Sequence, residues 1–115
     1  MGGIMYQCIL WGDGRDYDRY INAVRYQELS GHIHVMGITS KATIYRKIDG
    51  YAFIHKSQLG DYDFDLLIIM SVSHLEEIRS EAETMGIHEE KILSCEVFSL
   101  PNLDLDKYME IKKRK

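Results

Sequence analysis

Residues 6–17, "YQCILWGDGRDY", decide the fold of this chain. The first six are mostly apolar, as in a strand that is buried on both faces of a sheet. Two glycines, Gly12 and Gly14, follow at once, and from Tyr17 onward apolar residues recur at helical spacing. The stretch therefore predicts a buried strand, a tight turn and an amphipathic helix. It also raises a question of function, because such a turn either binds a phosphate or only redirects the chain.

The rest of the chain alternates between strand and helix patterns. Four further strands are predicted at residues 32–38, 51–54, 66–70 ("LLIIM") and 91–94 ("KILS"). Further helices are predicted after Ser73, which fits a capping box with Glu76, and over residues 105–113. This alternation indicates an α/β fold of three layers, with a parallel sheet in the order 3-2-1-4-5.

One loop is predicted in the first half of the chain. Residues 39–49 show no clear period, and Asp49 and Gly50 form a turn signal before the short predicted strand at residues 51–54.

Composition and charge limit the classes of function. The chain has 115 residues, 45% of them hydrophobic, which suits one domain with a real core. Its net charge is −4, but the last four residues are all basic, so the other residues carry 10 basic against 18 acidic side chains, or −8. Such a body repels nucleic acid backbones. No apolar run is long enough to span a membrane and no signal-like segment opens the chain, so a cytoplasmic protein is expected.

Metal-binding and catalytic patterns are missing from the sequence. Cys8 and Cys95 lie in apolar runs without metal-type spacing, which predicts buried free thiols. Residues 61–65, "DYDFD", match the start of a calcium loop, but Leu66 and Val72 stand where its glycine and bidentate glutamate belong. A solvated turn is the better interpretation. No nucleophile or general base can be named, so the sequence predicts no metal site and assigns no reaction.

The glycine turn only partly matches a dinucleotide fingerprint. Gly12 and Gly14 fill the first two glycine positions, whereas the third falls on Tyr17, whose side chain would hold the helix away or block a pyrophosphate. Asp13 makes the turn acidic, while Arg15 offers a guanidinium that could grip phosphate. Gly14 is also expected at positive φ, where a β-branched residue would strain the turn. A structural turn and an anion site both remain open.

Two serines are candidate ligand contacts at the ends of other strands. An NAD site places an acidic residue after the second strand, but here Thr39 and Ser40 stand there, which disfavours ordinary NAD binding. A hydroxyl at that place can still bond a ribose or another sugar. Ser71 ends the strand that is expected to lie beside the first one. These side chains should meet at one crevice.

Together, the segments "ILWGDG", "VMGITS", "IDGYAFIH", "DYDFDLLIIMS" and "EEIRSEAETMGIHEEKIL" give the chain a recognisable outline. It resembles the Rossmann-like N-terminal domain of bacterial nucleotide-sugar and cell-surface exopolysaccharide biosynthesis proteins. The resemblance implies a Rossmann-like domain over residues 1–100. It also implies that residues 101–115 are a C-terminal extension or the start of a linker to a second domain. The candidate cofactor-binding residues are then Gly12, Asp13, Gly14, Arg15, Ser40 and Ser71.

Two functions follow as expectations. The first is a domain that binds a nucleotide or a nucleotide sugar for surface-polysaccharide synthesis. The second is a structural or interaction domain whose ligand site has degenerated and whose surface docks a partner domain or a second copy. The resemblance further implies that this chain is the N-terminal part of a longer protein, with the chemistry in the remainder.

Overall fold

A four-stranded parallel sheet organises the computed structural model, which describes residues 5–41 and 47–114. The strands are β1 (Tyr6–Trp11), β2 (Ile33–Thr39), β3 (Leu66–Ile69) and β4 (Ile92–Ser94), in the order β2-β1-β3-β4. The helices are α1 (Arg15–Leu29), α2 (Leu75–Thr84) and α3 (Leu105–Lys113), with short 3-10 helices at Lys56–Asp61, Glu89–Lys91 and Cys95–Ser99. Within the described ranges, no helix is long and apolar enough to cross a bilayer.

The prediction of five strands in the order 3-2-1-4-5 is wrong, because the segment at residues 51–54 does not form a strand. It lies beside β2 and makes one isolated bridge, between Phe53 and Ile38. The turn at Asp49 and Gly50, which precedes this segment, was predicted correctly. Tyr51 pairs with Ile48 across that turn through its amide and carbonyl, whereas the Ala52 carbonyl and the Ile54 amide bond to Ile38 of β2. Residues 42–46 of the predicted loop lie outside the described residues.

Helices cover both faces of the sheet, and each strand contributes side chains to both faces because these alternate along it. Cys8, Leu10 and Ile68 face a first core that contains the buried face of α1. Ile9, Trp11 and Ile69 face a second core that contains Ile78 and Ala82 of α2. The chain moves from β1 to β2 towards one edge of the sheet and from β3 to β4 towards the other edge. Crossovers of the usual right hand therefore place α1 and α2 on opposite faces. Both faces of β1 and β3 are therefore buried, as their sequences predict.

Two helix boundaries are informative. The capping box predicted from Ser73 and Glu76 is wrong: α2 begins at Leu75, and its N-cap residue, His74, makes no side-chain cap. The Ser71 hydroxyl instead accepts a hydrogen bond from the His74 amide at 3.2 Å, which closes the turn before the helix. At the other end of the chain, α3 spans the predicted residues 105–113. Its residues Leu105 and Met109 are buried in the first core. The domain boundary at residue 100 stays a prediction.

The two cysteines are buried free thiols, as predicted. Cys8 lies on β1 and Cys95 directly follows β4, so the two are separated by β3. Burial, with smaller contributions from the charges of Asp16 and Glu96, raises the pKa of Cys95 from its ordinary value of 9.0 to about 11. Burial also raises the pKa of Cys8. Both thiols are therefore protonated in the folded protein at neutral pH.

The free energy of unfolding is expected to fall as the pH rises from about 9 to 11. In this window the unfolded thiol of Cys95 loses its proton while the folded one keeps it, so the folded state loses relative stability. Between these pH values, Cys95→Ala should lose about 2 kcal/mol less stability than the wild type does. Urea unfolding at several pH values measures both slopes. Equal slopes for the two proteins would contradict the assignment.

Candidate functional site

A cavity of about 340 Å³ opens at the carboxyl ends of β1, β2 and β3. It lies where the strand order reverses, because the chain passes from β1 to β2 on one side and later returns to β3 on the other. Open parallel sheets bind ligands at such a point. The residues that line the cavity are Trp11, Gly12, Asp13, Gly14, Asp16, Ser40, Lys41, Met70, Ser71, His74, Ile78 and Glu81.

The structure brings five of the six predicted site residues to this cavity: Gly12, Asp13, Gly14, Ser40 and Ser71. The sixth, Arg15, is exposed and is not among the lining residues. The cationic side chain at the cavity is Lys41, which sequence reasoning missed. The sequence did contain a clue to this role, because Lys41 directly follows the predicted site residue Ser40 at the end of β2.

The two glycines of the turn have different roles. Gly12 has a φ of +119°, and a Cβ there would lie 3.3 Å from the carbonyl oxygen of Met70. The turn itself therefore requires glycine at this position. Gly14 has a φ of −88°, so the expectation of a positive φ is wrong. A Cβ at Gly14 would meet no atom within 4 Å. The fold does not need glycine at position 14, and its absent side chain leaves space at the cavity.

The N-terminus of α1 borders the cavity and lacks a cap. Gly14 is the N-cap residue, and no side chain bonds to this helix end. Within residues 5–41 and 47–114, the amides of Gly14, Arg15 and Asp16 have no hydrogen-bond partner. Such amides and the helix dipole together give partial positive charge. Because Gly14 and Asp16 line the cavity, this charge lies at its wall.

Two polar side chains hold the walls of the cavity in place. The Asp16 carboxylate accepts a hydrogen bond from the Val72 amide at 2.8 Å, which ties the first turn of α1 to the segment after β3. Ser71 uses its hydroxyl to close the turn before α2. The Asp16 bond was not predicted because it joins segments that are far apart in the sequence. The Ser71 bond spans only three residues and was missed because the cap of α2 was predicted at Ser73.

The charges around the cavity are mixed. Three carboxylates, those of Asp13, Asp16 and Glu81, line it together with the single ammonium of Lys41. Glu81 accepts a hydrogen bond from the Lys56 ammonium at 2.6 Å, and that ammonium lies 5.6 Å from the centroid of the Trp11 ring. Lys41 forms no ion pair with any residue that the structure describes. The ammonium of Lys41 is therefore available to a ligand.

Comparison with known protein families identifies the family of this chain. Residues 4–93 match a family model described as C2185-like, N-terminal. The chain belongs to this family. No curated protein matches it. The matched residues include all four strands up to Leu93, together with every residue that lines the cavity, and they end before α3.

Tyr17 does not block the cavity, contrary to the expectation from its place in the fingerprint. It is 2% exposed, belongs to the first core and is not a lining residue. Burial, assisted by the nearby Asp49 carboxylate, raises the pKa of Tyr17 above its usual value. The Tyr17 side chain points from the first turn of α1 into the first core, so it does not enter the cavity.

Asp65, the last residue of the acidic segment at residues 61–65, has a structural role. The carboxylate of Asp65 accepts a hydrogen bond from the Gln7 amide at 2.8 Å, and the Asp65 amide donates to the Gln7 carbonyl at 2.7 Å. These bonds fix the start of β3 against β1. In the part of the chain that the structure describes, no three His, Cys, Asp or Glu side chains are grouped so as to hold a metal ion.

Proposed function

We propose that this chain is a Rossmann-like domain that binds a nucleotide or a nucleotide sugar. The observation that carries the proposal is the cavity at the reversal of strand order, bordered by the uncapped N-terminus of α1 and by the vacant space at Gly14. Helix N-termini of this kind bind phosphate groups. The cavity volume of about 340 Å³ falls within the usual range for small-molecule sites.

The setting of this function rests on the sequence resemblance. We propose that the domain acts in the cytoplasm, in bacterial exopolysaccharide or cell-surface sugar biosynthesis, where activated sugars carry diphosphate groups. The word "N-terminal" in the family's description supports the proposal that the domain works within a longer protein. The described residues offer a binding site, and no side chain among them is assigned a chemical step.

Lys41→Ala is expected to weaken binding of UDP-glucose by about tenfold or more, because a charge-assisted contact contributes about 1.5 to 3 kcal/mol. Arg15→Ala is the matched control, since it removes an exposed cation that does not line the cavity. It should change the affinity by less than about twofold. Titration calorimetry with UDP-glucose, UDP, NAD and coenzyme A gives the affinities. The single tryptophan, Trp11, lines the cavity and provides a second signal by its fluorescence.

Failure of all four probes to bind more tightly than about 1 mM would contradict the proposal, since that affinity is worth only about −4 kcal/mol. It would favour the alternative, a structural or interaction domain with a degenerate site. Two exposed apolar side chains on α1, Tyr26 at 66% and Leu29 at 88%, favour that alternative. A dimer in light scattering that Leu29→Glu dissociates would then identify the interaction surface.

A further inference from the structure

The carboxylates at the cavity restrict which chemical groups a ligand can carry besides its phosphate. An acidic side chain near an anion site repels the anion, and it loses water when the ligand enters unless the ligand supplies hydrogen-bond donors. Asp16 is already bonded to the Val72 amide. Asp13 is exposed, and no partner among the described residues holds its side chain. Glu81 is therefore the carboxylate that is both held in position and open to a ligand.

Glu81 is held by one of its two carboxylate oxygens. Its Oε2 accepts from the Lys56 ammonium at 2.6 Å, whereas its Oε1 has no hydrogen-bond partner among residues 5–41 and 47–114. Lys56 therefore orients this half-exposed side chain and offsets part of its charge, which reduces its repulsion of a phosphate. The open oxygen belongs to a side chain that lines the same cavity as Gly14 and Ser40.

We infer that the ligand is a phosphorylated sugar, and that Glu81 determines specificity by accepting hydrogen bonds from the hydroxyl groups of the sugar ring. This inference rests on the proposed phosphate-binding function of the cavity. Under this inference, Glu81 of α2 takes the place of the acidic ligand-binding residue that is missing after β2, where Ser40 stands.

Two other ligand chemistries fit less well. An apolar acyl chain would strip water from the Glu81 oxygen and give no hydrogen bond in return. An amine would compete with Lys56, which already pairs with this carboxylate, and Lys41 would repel it. A hydroxyl group needs only an acceptor lone pair and carries no charge, so it suits the side chain as the structure holds it.

The test compares glucose 1-phosphate with butyl phosphate, which has the same charged group and no ring hydroxyls. The wild type should bind glucose 1-phosphate about tenfold more tightly than butyl phosphate, and Glu81→Ala should remove most of this preference. The ratio of affinities is the readout, because loss of the Glu81 charge strengthens binding of both phosphates alike. Glu83→Ala, on an exposed position of the same helix, is the control and should keep the preference.

Each outcome separates the two proposals. A wild type that binds both probes equally, or an unchanged ratio in Glu81→Ala, would overturn the role of Glu81 while binding itself upholds the phosphate site. A wild type that binds neither probe nor UDP-glucose would overturn both proposals. Thermal unfolding of each variant by circular dichroism confirms that the comparison is made on folded protein.

Discussion

Replacing Gly14 with Asp is expected to abolish binding of phosphate-bearing probes, with a loss of about 100-fold or more, while the domain stays at least as stable as the wild type. Aspartate is a favourable N-cap residue, so it can accept hydrogen bonds from the open amides of α1. The new carboxylate would then occupy the place proposed for the ligand phosphate and repel it. The φ of −88° and the empty space around the position allow the new side chain.

Two further variants make this result decisive. Gly14→Ser also caps the helix but adds no charge, so it should weaken binding less than Gly14→Asp does. Gly12→Ala should instead destabilise the fold, because its φ of +119° and the Met70 carbonyl at 3.3 Å oppose a Cβ. Calorimetric titration with UDP-glucose and urea unfolding measure the two effects. If Gly14→Asp binds UDP-glucose as the wild type does, the N-terminus of α1 is not the phosphate site.

The largest effect on stability is expected for Gly37→Ala, a loss of about 2 kcal/mol, because overpacking a tight contact costs about 1 to 3 kcal/mol. Gly37 lies on β2 opposite Ile9, next to an irregularity in the strand register. A Cβ there would lie 2.8 Å from the Ala52 carbonyl oxygen and 2.5 Å from the end of the Ile54 side chain. The segment that follows the Asp49 turn would have to move away from β2.

Gly60→Ala is the matched control, since a Cβ at Gly60 meets no atom within 4 Å and the residue has no positive φ. It should change the free energy of unfolding by less than about 0.5 kcal/mol. The double variant Gly37→Ala with Ile54→Ala tests the contact directly. Its loss should be smaller than the sum of the two single losses, because one truncation makes room for the other group. Additive losses would contradict the proposed clash.

Local sequence patterns predicted the elements that depend on neighbouring residues. The apolar run of β1, the spacing of Tyr17, Ile21 and Val24, and the turn at Asp49 and Gly50 all describe interactions within a few residues, and the structure confirms them. The predicted strand at residues 51–54 failed for a reason that no local pattern contains. Its pairing with β2 is limited to the bridge between Phe53 and Ile38, and the length of such a pairing depends on contacts between segments.

The candidate site also has some features that the sequence predicted and others that only the structure shows. The sequence by itself determined that β1 ends in a glycine turn and that Ser40 and Ser71 follow the strands on either side of β1, so these residues meet at one crevice. Only the tertiary structure decided that Gly12 serves the turn while Gly14 leaves space, that Lys41 replaces Arg15 at the cavity, and that Glu81 and Asp16 form its walls. The physical reason is that strand ends follow from periodicity along the chain. The direction of a side chain and its partner depend on contacts between segments, such as the 56 residues that separate Asp16 from Val72.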